Sequence, residues 1–141
     1  MLEVFKYELT HKYPHMKPRD IEIWERFINA YPDAYIDCQY DFHVGDSPSF
    51  DTSIDGIDNA NQHMLYQLKI DVIGRKSNGL DIIEVKPDAG PSSIGQVQGY
   101  RTLYVRDERP TQNVNVVIIT NVEKPNMRYL CSQHGVTLYV V

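Results

Sequence analysis

Asp71, Glu84 and Lys86 are the residues of this chain whose types and spacing best suit chemistry. Two carboxylates offer hard oxygen donors to a divalent cation, and an ammonium beside them can stabilise charge developing on a bound anion. That combination suits cleavage of a phosphodiester, which repels hydroxide and whose alkoxide is a poor leaving group at neutral pH. A divalent metal answers both difficulties by polarising phosphorus and lowering the pKa of its water. Asp71 and Glu84, with the Val85 carbonyl as a backbone donor, are the expected ligands of Mg²⁺ or Mn²⁺. Lys86 would orient the attacking water. Whether it also acts as base stays open, because nearby carboxylates favour its charged form and a metal disfavours it.

These residues need an element that brings them together, and the sequence predicts a hairpin over residues 68–87. Lys76-Ser77-Asn78-Gly79-Leu80 contains the Asn-Gly pair that a two-residue type I′ turn prefers. With Asn78 and Gly79 at the turn, Asp71 is expected opposite Lys86 and diagonal to Glu84, all three on one face. Leu68, Ile70 and Val72 alternate on the first arm, and Ile83 and Val85 lie behind Glu84 and Lys86 on the second. The same three side chains could instead form a cross-strand ion pair of a few tenths of a kcal/mol, roughly. The glutamine-bearing helix and the apolar strand that follow favour a site.

Asp71 followed by Glu84-Val85-Lys86 resembles the core of the PD-(D/E)XK nuclease superfamily, an acid on one strand and Glu/Asp-X-Lys on the next. Ile70 stands where the name-giving proline would be. Ile94-Gly95-Gln96-Val97-Gln98-Gly99-Tyr100 resembles the Gln-xxx-Tyr motif on the helix after the Glu-X-Lys strand. The order hairpin, helix, strand (114–120), short helix and last strand (136–141) is similar to the nuclease domains of archaeal Holliday-junction resolvases and of archaeal and actinobacterial mismatch endonucleases. The resemblance covers residues 66–141.

It implies an α/β fold with a restriction-endonuclease-like αβββαβ core, a central mixed sheet flanked by helices. It also implies a Mg²⁺- or Mn²⁺-dependent deoxyribonuclease, a structure-selective endonuclease for branched, mismatched or single-stranded DNA, working as a homodimer or with a partner protein. An exonuclease, or a non-catalytic binding or assembly module on the same fold, are the alternatives. Gln96 would hydrogen-bond the water or a phosphate, and Tyr100, four residues on, would pack or position the substrate strand; Gln98 projects from another side. Many members carry a further acid on the first helix, which makes Glu25 a candidate metal ligand. The other account of Glu25 and Glu22 is that they favour the helix dipole.

The elements before the hairpin read as scaffold. A helix starts at about Pro18, presents Ile21, Trp24, Phe27, Ile28 and Tyr31 as an apolar face, and ends at Pro32. Ile36, Cys38, Tyr40, Phe42 and Val44 then alternate with Asp37, Gln39, Asp41 and His43, as in a strand with one buried and one wet face. Residues 1–17 are an N-terminal extension. Residues 45–64 are a long polar loop or flap, whose Asp46, Asp51, Asp55 and Asp58 lack calcium-loop spacing. His11 and His15 could share a metal only on a helix, which Pro14 opposes, so surface or capping roles are expected for the histidines.

With 141 residues and 42% hydrophobic content the chain suits one domain. A net charge of -5 is unlike a protein that grips polyphosphate, yet the acidity is uneven. Residues 1–67 hold five Lys/Arg against twelve Asp/Glu, whereas residues 68–110 hold seven against six. Lys69, Arg75, Lys76 and Arg101 are therefore the candidate DNA contacts, with Arg106 and Arg109 behind them; each could equally be an ordinary solvated charge. Cys38 and Cys131 are too few for a disulfide framework or an iron-sulfur cluster and read as reduced thiols. No membrane span or secretory start is apparent, so a cytoplasmic protein of a prokaryote, phage or mobile element is expected. No phosphate-cradling loop, dinucleotide fingerprint or serine nucleophile elbow occurs.

Overall fold

The longest β-branched run, Val116 to Thr120, suits a strand covered on both faces, and the sheet is built around it and its neighbour. The computed structural model describes residues 3–46 and 68–141. Its elements are β1 (Phe5–Lys6), α1 (Pro18–Ala30), β2 (Asp37–Val44), β3 (Leu68–Lys76), β4 (Gly79–Val85), α2 (Ser92–Glu108), β5 (Asn113–Thr120), α3 (Met127–Gln133) and β6 (Val136–Val140). They form a six-stranded mixed sheet in the order β1-β2-β3-β4-β5-β6, antiparallel as far as β4 and parallel from β4 to β6. All seven residues of β4 are buried, as a central strand requires.

Two cores flank the sheet. On one face α1 packs Ile23, Trp24, Phe27 and Ile28 against Tyr40, Val72, Ile83, Val85, Val117 and Ile119. On the other, Ile94, Val97 and Tyr104 of α2 and Met127 and Cys131 of α3 cover Ile73, Ile82, Val116 and Ile118. The α/β class and the mixed sheet between helices agree with expectation. Pro18 opens α1, Asp20 lies in its first turn, and the helix ends before Pro32. Residues 1–17 are more than an extension, because β1 pairs with β2 and Tyr7 and Tyr13 are buried in the α1 core. Cys38 and Cys131 are buried free thiols, and burial pushes Cys38 up to about 11. The expected loop or flap at 45–64 lies, after Asp46, outside the described residues. No helix among the described residues is long and apolar enough to cross a membrane.

The hairpin register corrects the expectation drawn from Asn78-Gly79. Lys76 pairs with Gly79, Ile73 with Ile82 and Val72 with Ile83, so Ser77 and Asn78 occupy the turn. Neither has a positive φ, so the turn is not type I′. Gly79 serves the sheet instead. A Cβ there would meet the Asn113 carbonyl oxygen of β5 at 2.6 Å, so β4 and β5 approach closely only because the residue has no side chain. Continuing the pairing places Asp71 opposite Glu84 and not opposite Lys86. A shift of two residues leaves every side chain on its own face, which is why the three groups still gather. Gly79→Ala is expected to cost about 1–3 kcal/mol, because the obstacle is backbone that cannot rotate away. The urea midpoint of the variant checks this.

β2 departs from simple alternation. Cys38 and Tyr40 belong to the α1 core, whereas Phe42 and Val44 pack in the α2 core. The change falls at Asp41, whose φ of 53° is left-handed. On β3 the same step separates Ile70 from Val72. The strands turn their faces over at the level of Asp71. The residues expected on a wet face, Asp37, Gln39, Asp41 and His43, are half-buried, and Ile36 is exposed.

Candidate functional site

The antiparallel register brings Asp71 and Glu84 together near the carboxyl end of β4, and the chain continues from there into Lys86. The Val85 N–H donates to Asp71 Oδ2 at 2.9 Å, and the Lys86 N–H donates to the Ile119 carbonyl at 3.0 Å, holding the strand end against β5. Asp71 and Glu84 are joined by a side-chain hydrogen bond. The Lys86 side chain is exposed and, among the described residues, forms no ion pair with either carboxylate. The cross-strand ion pair is therefore not what the hairpin builds.

It builds a buried acid pair. Burial pushes Glu84 up to about 9, with the Asp71 charge and the bond to Asp71 adding to the rise and Lys86 opposing it. Burial also raises Asp71, while the bonds from Glu84 and the Val85 N–H hold it down. Both shifts run in the direction that favours one shared proton over two charged carboxylates side by side. The Tyr100 hydroxyl is pushed up to about 12, mainly by burial and then by the nearby Glu84 and Asp71 charges. Glu84 Oε2 is buried without a partner. An unpaired buried acceptor is costly, and such groups mark sites that complete themselves with something else.

A divalent cation fits this set. It would replace the shared proton, satisfy Oε2, and find hard oxygen donors of the kind Mg²⁺ and Mn²⁺ prefer. Among the described residues no group of three or more His, Cys, Asp or Glu could hold a metal ion through side chains alone. Backbone oxygens and water would have to complete the shell, as is usual for Mg²⁺. Val85 lines the cavity beside the pair.

That cavity, about 640 Å³, is lined by His15, Lys17, Pro18, Arg19, Asp20, Asp71, Glu84, Val85, Lys86 and Pro87. Acids form its floor and cations its rim. The acid contributed by the first helix is Asp20, whose charge raises both Asp71 and Glu84. Glu25, the expected ligand, instead accepts a hydrogen bond from the Tyr13 hydroxyl at 2.9 Å and does not line the cavity. The reason is one of approach: the N-terminal end of α1 meets the site, whereas its apolar face meets the sheet.

Other expected residues also separate. Tyr100 lies near enough to Glu84 to feel its charge but packs in the α2 core, and neither Tyr100 nor the exposed Gln96 lines the cavity. Four helical residues turn through about 400°, and the extra 40° or so takes Gln96 away from the buried Ser93 and Val97 stripe. Gln98 donates to the His134 carbonyl at 3.0 Å. Of the candidate DNA contacts, Arg75 is bonded to Asp37, Lys76 is paired with Asp81 at 2.9 Å, and Arg101 donates to the Val114 carbonyl at 2.7 Å. Arg75 and Lys76 sit toward the turn, about 13–17 Å along the strand from Asp71. Lys69 lies opposite His43 and is exposed. Arg106 pairs with Asp107 and Asp46. The cations that do face the acid pair, Lys17, Arg19 and Lys86, include two from the acidic half of the sequence. Their signal was position beside the helix start at Pro18, which average charge conceals.

Comparison with family models, with curated proteins and with solved structures gives no match.

Proposed function

We propose that the chain is a divalent-metal-dependent DNA phosphodiester hydrolase, a structure-selective endonuclease whose site is the Asp71–Glu84 pair with Lys86. The observation that carries this reading is the buried pair itself, held face to face with an unpartnered oxygen and opening on a cavity with a cationic rim. Burying two acids together is unfavourable unless the site has a use for them. A cation bound there would supply charge neutralisation at phosphorus and a water of lowered pKa.

The chain's own groups have separable tasks. Asp71 and Glu84 hold the cation, and the Val85 N–H keeps Asp71 aimed. Tyr100 of α2 lies near enough for the Glu84 charge to act on its hydroxyl and would steady that carboxylate. Lys86, free at the rim, contacts the scissile phosphate and stabilises its developing charge. Lys17 and Arg19 meet flanking phosphates; Arg19 is shared with Asp88 at 3.3 Å, a contact exposed enough to yield to a nucleic acid. A rim of so few cations suits branched or single-stranded DNA, which can bend into the cavity, better than a long duplex.

The test combines titration calorimetry with Mn²⁺ and cleavage of junction, flap, circular single-stranded and linear duplex DNA. Mn²⁺ binding with proton release, and cleavage of the circle as well as the junction, are expected. A circle left intact while linear strands are degraded would instead mark an exonuclease. The absence of a three-side-chain ligand group among the described residues favours a second reading, a binding or assembly module. That module would bind partners without metal and cut nothing.

A further inference from the structure

Two imidazoles converge on one carboxylate oxygen. Asp41 Oδ2 lies 3.2 Å from His43 Nε2 and 3.5 Å from His15 Nε2. Asp41 and His43 are largely covered, with side chains 15% and 16% exposed, whereas His15 is 72% exposed and lines the cavity with Asp71, Glu84 and Lys86. His15 and Asp41 both have left-handed backbones, φ 59° and 53°. Two such residues in a single contact are uncommon, and strain of this kind collects at functional sites. Asp41 is also where β2 turns from one core to the other, so the distortion that carries the carboxylate to His15 is built into the sheet.

His43 Nδ1 is buried without a partner, and a bare nitrogen is tolerated there better than an orphaned N–H. A neutral ring with its proton on Nε2, donated to Asp41, meets both conditions. His15 presents Nε2 to the same carboxylate, which leaves Nδ1 turned away from Asp41.

We infer that His15, seated by Asp41 and His43, is the group that protonates the leaving oxygen of the phosphodiester. The inference rests on the hydrolase reading above and completes it, because Asp71, Glu84 and Lys86 attend to the water and the phosphate and none of them is assigned to the departing alkoxide. As water oxygen bonds to phosphorus, the bond to the leaving oxygen breaks with its electron pair. The His15 imidazolium passes its Nδ1 proton to that oxygen, a water proton goes to solvent, and His15 is reprotonated from solvent. Water and diester become monoester and alcohol. Asp41 and His43 are positioning residues.

The test compares DNA with bis(p-nitrophenyl) phosphate, whose leaving phenolate needs no proton. For His15→Gln the ratio of DNA to nitrophenyl-ester cleavage is expected to fall about 10²-fold, the usual worth of a positioned general acid. Asp41→Asn, which can keep the left-handed backbone, should lower the same ratio. Long-range ¹⁵N–¹H spectra of the wild type should show neutral His43 as the Nε2–H tautomer. Equal loss on both substrates, no loss on either, or an Nδ1–H tautomer at His43 would overturn the inference. A wild type that binds Mn²⁺ but cleaves neither substrate overturns the hydrolase reading, and this inference with it.

Discussion

On the hydrolase proposed above, Asp71→Asn is expected to lower cleavage by about 10³-fold or more while the fold is kept, because a Lewis acid at phosphorus is worth several kcal/mol and one of the two carboxylates proposed to hold it would be gone. Asparagine is the informative replacement. Its carbonyl still accepts the Val85 N–H that now reaches Asp71 at 2.9 Å, whereas alanine would leave that N–H unpaired at a cost of about 1–3 kcal/mol. Lys86→Ala complements it. Lys86 is exposed and carries no ion pair among the described residues, so its loss should leave stability and Mn²⁺ affinity in place and lower the single-turnover rate by about 10²–10³-fold. Single-turnover cleavage, Mn²⁺ titration and thermal melting read the three quantities separately. Wild-type cleavage by Asp71→Asn would move the metal away from β3 and β4.

Glu84 links stability to pH in an unusual direction. Burial pushes its carboxyl up to about 9, well above its ordinary value of 4.5. Between those values the folded chain holds a proton that the unfolded chain has lost, so stability falls as pH rises through this window. The slope is at most about 1.4 kcal/mol per pH unit, and less where neighbours adjust. Glu84→Gln mimics the protonated form, keeps a donor for Asp71, and should flatten the curve. Urea midpoints at pH 5, 7 and 9 without divalent ions would show wild type losing ground to the variant as pH rises. Subtracting the two curves cancels most of what other groups contribute. Adding Mn²⁺ at pH 9 should restore the wild type far more than the variant, because only ionised Glu84 completes the acid pair. Parallel curves would mean that Glu84 is not the buried acid that this geometry makes it.

Much of the arrangement was legible in residue order. Strand alternation marked Asp71, Glu84 and Lys86 as neighbours on one face, and this survived a wrong turn assignment because side-chain direction repeats every two residues. Helix periodicity located α1, the Gln-xxx-Tyr resemblance located the Tyr100 helix, and apolar runs located β5 and β6. Asn78-Gly79 misled because glycine has two uses, positive φ and close approach. Which one applied depended on Asn113, thirty-four positions away in the sequence.

What sequence alone determined is most of the set of elements and the placing of both acids on one face of one hairpin, since strand alternation is a local periodicity, whereas which residue stands opposite Asp71 was decided by the register. Tertiary structure alone decided that the pair is buried, that α1 brings Asp20 to the cavity in place of Glu25, and that Gln96 faces away. It also decided that His15, Asp41 and His43 meet. Each of those depends on where the end of one element lands against another, and on a strand that turns over at a left-handed aspartate. Neither leaves a periodic trace in the chain, because burial and approach are properties of packed surfaces and not of neighbouring residues.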